Sequence, residues 1–153
     1  MSFIFDSVDR FVAGTVGEPG ERAFFIQARS ERRLVTLALE KAQVAALAER
    51  LSIVISDLQR SDLSLKMRTL AQDDAALDTP IESEFEVGLI SMAWDESQST
   101  MSIELFEITV PDEQAGNSLK VSLNTSQCWA FVKRSKALVS AGRLPCPFCG
   151  FPI

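Results

Sequence analysis

Two cysteines near the end of the chain, in Pro145-Cys146-Pro147-Phe148-Cys149-Gly150, have the spacing with which one tight turn grips a zinc ion. Gly150 permits the turn that lets backbone amides point at the sulfurs. One such pair is half a site, because a structural zinc takes four ligands. The third thiol of the chain, Cys128, falls on the apolar stripe of a helix, where a free cysteine acts as a small hydrophobe. Zinc is thus the expected cofactor of an incomplete site at Cys146 and Cys149, to be filled by a second chain or by further ligands. The 153 residues include no histidine and no tyrosine. That removes Ser-His-Asp and Cys-His nucleophiles, histidine-bound zinc and histidine pH switches from this chain.

Cys-Pro-Phe-Cys also resembles a glutaredoxin active site. Redox chemistry of that kind needs a strand before the motif and a helix opening on it, whose N-terminus lowers the thiol pKa. Here the motif follows a helix, so the redox reading is rejected.

Arg22, Arg29, Arg32 and Arg33 crowd the first hairpin, and Arg29 and Arg32 flank one turn. Guanidinium groups converging there would grip a phosphate or carboxylate, whereas a solvated hairpin would pair them with Glu21 and Glu31. Lys133, Arg134, Lys136 and Arg143 form a second basic group, read as the polar face of an amphipathic helix. Glu82, Glu84 and Glu86 alternate along a strand, so all three point one way. They would either hold a divalent cation or solvate a sheet edge. Trp94 and Trp129 are read as core anchors.

The elements that must carry these residues follow from composition and patterning. With 46% hydrophobic and 24% charged residues, the chain can bury the core of one domain. A net charge of −6 disfavours a phosphate backbone as partner. No run approaches the roughly 18 apolar residues of a membrane span, and no signal-like segment opens the chain. An odd, unspaced set of three cysteines fits a reducing compartment, so a cytoplasmic protein is expected.

Alternation predicts strands over Phe11–Val16, Arg22–Arg29 and Arg33–Leu39, with a type II turn at Gly17-Glu18-Pro19-Gly20. Apolar residues at Val44, Leu47, Ala48, Leu51, Val54, Ile55 and Leu58 predict a helix over Lys41–Arg60. Leu63, Met67 and Leu70 would fit a short second helix, and Gln72–Pro80 reads as a mobile connector. Strands follow at Glu84–Trp94, Thr100–Val110 and Leu119–Leu123. A capping box, Asn124 to Gln127, then opens a helix whose stripe is Cys128, Phe131, Val132, Leu138 and Val139. Gly142 and Pro145 end it.

The expected fold is α+β: a mainly antiparallel six-stranded sheet with two helices on one face. One domain would span residues 1–142, as a first half 1–60, a connector 61–80 and a second half 81–142. A tail, 143–153, would carry the half zinc site. Both halves run strand-strand-strand-helix, with Leu39 matching Leu123 and Gln43 matching Gln127. The match reads either as an internal duplication with pseudo-two-fold symmetry or as the common look of any strand entering an amphipathic helix.

Along nearly its whole length the chain resembles an uncharacterised actinobacterial family, domain-of-unknown-function family 3090. The resemblance is carried by Asp9-Arg10-Phe11-Val12-Ala13-Gly14-Thr15-Val16-Gly17-Glu18-Pro19-Gly20-Glu21-Arg22, Phe24-Phe25-Ile26-Gln27-Ala28-Arg29 and Leu39-Glu40-Lys41-Ala42-Gln43-Val44. Phe85-Glu86-Val87-Gly88, Ala93-Trp94-Asp95 and Cys146-Pro147-Phe148-Cys149-Gly150 carry it further. No activity is implied by it. It does imply a His and a Cys further on that would complete a zinc knuckle with Cys146 and Cys149, which this sequence, ending at Ile153, does not contain.

The function expected is a non-enzymatic binding or scaffold module with a protein partner and a half zinc knuckle. The alternative is an enzyme or small-ligand regulator whose anionic substrate is held by the hairpin arginines, with Glu40 or Asp95 as acid or base. Neither nucleic acid nor a membrane is expected as partner, and the oligomeric state is left open.

The 153-residue chain is expected to bind zinc weakly, or as a dimer sharing two Cys-x-x-Cys pairs. Adding a downstream His and Cys is expected to create a tight one-to-one site that Cys146→Ser abolishes. Metal content per chain after gel filtration checks this. One tight zinc per monomer of the 153-residue chain would show that other ligands take part.

Overall fold

The alternating segments pair into one sheet, and the two amphipathic segments form helices packed on it. In a computed structural model, which describes residues 2–17, 21–61, 75–109 and 116–140, the order is β1 (Ser2–Phe5), β2 (Arg10–Val16), β3 (Ala23–Ser30), β4 (Arg33–Leu39), α1 (Lys41–Ser61), β5 (Ser83–Asp95), β6 (Thr100–Glu107), β7 (Ser118–Asn124) and α2 (Thr125–Ser140). The sheet has seven strands in the order β1-β7-β6-β5-β4-β3-β2. The α+β class with two helices stands, and two corrections apply to the sheet. It gains β1, a strand too short to show a pattern, which exists because Ser2–Phe5 pairs in parallel with Ser118–Val121. It is also mixed, since β4 and β5 run parallel. The chain crosses between them through α1, as parallel neighbours require.

The sheet is strongly curled. Only Asp6 to Asp9 link β1 and β2, which are its opposite edges. Five steps of extended chain reach at most about 17 Å, whereas seven strands laid flat would put the edges about 28 Å apart. The sheet therefore bends around the two helices. One continuous core results, in which Phe11 of β2 stacks on Phe131 of α2 at 5.0 Å between ring centres.

Both helices face this core with the stripes expected of them. Val44, Leu47, Ala48, Leu51 and Ile55 of α1 are buried, as are Cys128, Phe131 and Val132 of α2. Burial pushes the Cys128 thiol up to about 12, because desolvation disfavours the thiolate. Trp94 and Trp129 pack against the core partly buried. The capping box at α2 is present in both directions: Gln127 N–H donates to Asn124 Oδ1 at 2.8 Å, and Asn124 N–H to Gln127 Oε1 at 3.0 Å. At α1, Glu40 N–H donates to Gln43 Oε1 at 2.7 Å.

The two halves share more than their order of elements. The pairs Phe11↔Ala28 to Val16↔Ala23 stand where Ile90↔Leu105 to Asp95↔Thr100 stand, and Phe24↔Leu39 stands where Met101↔Leu123 does. Gln43 Nε2 donates to Val87 O at 2.9 Å, and its counterpart Gln127 to Val8 O at 2.8 Å. Each helix start is thus tied to the other half, Gln43 to β5 and Gln127 to the link between β1 and β2, with β1, the link and β2 together matching β5. The short helix expected around Leu63–Leu70, the Gly142 cap and the Cys146/Cys149 pair lie outside the described residues.

Ser135 of α2 is fully buried, and its hydroxyl makes no hydrogen bond among the described residues. An unpaired buried hydroxyl keeps its desolvation cost, so Ser135→Ala is expected to stabilise the fold by about 1 kcal/mol. Urea denaturation with an unchanged slope checks it, and a loss of stability would reveal a partner for this hydroxyl.

Candidate functional site

Strands β2, β3 and β4 turn Arg10, Val12, Gly14, Gln27, Arg29 and Thr36 away from the helices. Antiparallel register sets Arg10 directly opposite Arg29, and like charges so placed repel unless a counter-charge lies between them. Asp78 supplies it. Its carboxylate accepts from Arg29 Nη1 at 3.0 and 3.1 Å and from Arg10 Nη1 at 3.3 Å.

Gln27, 1% exposed, reads the backbone of the same residue. Its Nε2 donates to Asp78 O at 2.8 Å and its Oε1 accepts from Asp78 N–H at 2.7 Å. The same Nε2 lies 3.1 Å from Thr36 Oγ1. Arg10 Nη2 and Arg134 Nη1 both donate to Ala75 O, and Arg134 Nε donates to Ala13 O on the edge strand. Leu77 lies over Gly14, where any Cβ would overlap it.

Residues Ala75 to Asp78 are therefore a strap bound across the outer face of the first half. Of Gln72–Pro80, read as a mobile connector, the described residues Ala75 to Asp78 thus lie on the sheet and bond to it. Polarity alone suggested a solvated loop, whereas the outer face holds it by charge, amide pairing and a glycine notch.

The four hairpin arginines are not gathered. Arg29 binds the strap. Arg22 lies over the Phe24 ring at 5.3 Å, at the far end of β3. Arg32 is exposed in the β3–β4 turn. Arg33 stacks on Phe5 at 4.2 Å and donates to Ile4 O. Arg10 and Asp78 are the partners that sequence reasoning missed. The Arg10–Arg29 opposition would have pointed to a carboxylate had the hairpin register been derived first.

In the second basic group, Arg134 is committed to Ala13 and Ala75, Lys136 Nζ lies 3.5 Å from Ser52 Oγ, and Lys133 is exposed. Arg143 lies outside the described residues. Glu84 and Glu86 are exposed on β5, which is an interior strand here, and Glu82 precedes it. No group of three or more potential metal ligands occurs among the described residues. Asp95 Oδ1 accepts from Ser97 Oγ, Ser97 N–H and Gln98 N–H. The Ser97 hydroxyl first and the turn amides with it hold its pKa below the usual carboxylate value, which suits an ionised turn cap and not a proton donor.

The outer face of the second half differs in kind. Positions equivalent to Arg10, Val12, Gln27, Arg29 and Thr36 are Leu89, Ser91, Glu104, Phe106 and Lys120. Gln27, Thr36 and Arg10 are buried, whereas Leu89 is 69% and neighbouring Ile108 52% exposed. Leu89, Phe106 and Ile108 line a shallow groove of about 470 Å³. It adjoins, through Gly88 and Ile108, a smaller hollow of about 180 Å³ bordered by Glu40 and Glu86.

Residues 3–153 match the family model described as a protein of unknown function (DUF3090). The chain finds no match among curated proteins and none among solved structures.

Asp78→Asn is expected to destabilise the fold by roughly 1–3 kcal/mol, toward the lower end because Arg29 is 41% exposed. Gly14→Ala is expected to cost a similar amount, about 1–3 kcal/mol, by overpacking against Leu77. That cost should shrink in a Leu77→Ala background. Urea melts of the single and double variants check the coupling, and additive costs would mean the strap does not rest on Gly14.

Proposed function

The chain belongs to the DUF3090 family, and we propose that it is a non-enzymatic binding module whose partner is another protein. The observation that supports this most is the outer face of β5–β7, which no described segment covers and which bears Leu89, Phe106 and Ile108, while the equivalent face of the first half is closed by the strap. Contiguous exposed apolar side chains on a folded domain mark interaction surfaces. Half a zinc knuckle at Cys146 and Cys149 would add a second contact, completed by ligands from elsewhere.

The alternative of an anionic substrate at the hairpin arginines draws no support from their arrangement. The arginines that do converge, Arg10 and Arg29, are already ion-paired to Asp78 of the same chain, which takes the place an outside carboxylate would have. No helix among the described residues is long and apolar enough to cross a membrane.

Affinity capture from the cells of origin tests the reading with two equally drastic surface changes. Leu89→Asp is expected to lower recovery of a partner protein by about tenfold or more. Ile53→Asp, at an exposed apolar position on α1, is expected to leave it unchanged. Equal recovery by both variants, or loss with Ile53→Asp alone, would remove the outer face as the binding surface.

A further inference from the structure

The molecule contains its own example of what lies on this side of the sheet. In the first half an extended segment crosses the outer face, sets an apolar side chain, Leu77, into a notch, and places the next side chain, Asp78, in a site of opposite charge. The second half repeats the strand pairing from Ile90↔Leu105 to Asp95↔Thr100, with a register shift between Val87 and Ile90 beside Leu89, and has no segment on this face among the described residues.

Its chemistry differs at the positions of the two arginines. Where Arg10 and Arg29 form an anion clamp, Leu89 and Phe106 form an apolar cleft extended by Ile108. Beside it, the hollow at Gly88 is bordered by two exposed carboxylates, Glu40 and Glu86. Glu104, further along the face, is directly opposite Lys120 and so already has a neighbouring cation.

We infer that this groove takes an extended segment of another protein in which an apolar side chain neighbours a lysine or arginine, a proposal that rests on the binding-module reading. The apolar side chain lies on Leu89, Phe106 and Ile108, and the cation reaches Glu40 and Glu86. The net charge of −6 adds a general attraction for basic partners. Gly88 keeps the junction between the two hollows open, since a Cβ there would come within 3.2 Å of Ile108.

The test is a titration of the 15N-labelled 153-residue chain with three capped octapeptides in a Gly-Ser background, carrying Leu-Lys, Leu-Glu or Ser-Lys at the centre. Leu-Lys is expected to shift the amides of Gly88, Leu89 and Ile108. Leu-Glu should bind about three- to tenfold more weakly, and Ser-Lys about tenfold or more. Leu89→Asp should abolish the response. Glu86→Lys should reverse the preference between Leu-Lys and Leu-Glu while the melting temperature stays near that of the parent.

Equal affinity for Leu-Lys and Leu-Glu would overturn the charge assignment and leave the binding face standing. No shift at these amides with any peptide would overturn the inference, while the capture experiment with Leu89→Asp still judges the broader reading. Movement of the same amides on simple dilution of the chain would show a second copy as the occupant, and would overturn it as well.

Discussion

Four residues, Asp6 to Asp9, carry the chain from one edge of the sheet to the other, and most of the architecture follows from that short reach. A seven-stranded sheet can meet the limit only by curling. Curling gives it a concave side that α1 and α2 fill, and a convex side that they cannot cover. Gln43 and Gln127 then close the arrangement, Gln43 tying the start of α1 to β5 and Gln127 tying the start of α2 to this same link at Val8. The link, the curl and the two glutamine ties are consistent with one another, as a well-specified fold requires.

The convex side is where the halves part company. Facing arginines on β2 and β3 would repel, and the chain answers with Asp78, so that one strap sets a counter-charge between them and covers the backbone. Gln27 adds specificity, because its amide satisfies both backbone polar groups of one passing residue, Asp78, while itself buried. On the second half, Leu89 and Phe106 stand at the positions of the two arginines, and Glu104 faces Lys120 where Gln27 faces Thr36. Similar backbone pairing thus presents two surfaces, one occupied by the strap and one that no described segment covers. The proposed function rests on that asymmetry.

Burial raises the pKa of the Cys128 thiol, and the turn that Asp95 caps holds its carboxyl below the usual carboxylate value. The proposed binding role rests on other features, which are exposed and shallow.

Local sequence was enough for whatever depends on neighbours along the chain. Alternation marked the six longer strands, the i, i+3, i+4 spacing phased both helices and buried Cys128, and Asn124 with Gln127 announced the cap of α2. The matching positions Leu39 with Leu123 and Gln43 with Gln127 foreshadowed the repeated registers. Tertiary structure decided what depends on residues far apart in the chain. β1 is a strand only because β7 lies beside it. Residues Ala75 to Asp78 are ordered only because Arg10, Gln27 and Arg29 converge on them. The hairpin arginines scatter because strand parity and strand length send Arg22, Arg29 and Arg33 to different ends and faces. Short-range periodicity is written in side-chain order, whereas a pairing or ion pair between distant segments depends on the register and curl that the whole chain adopts at once.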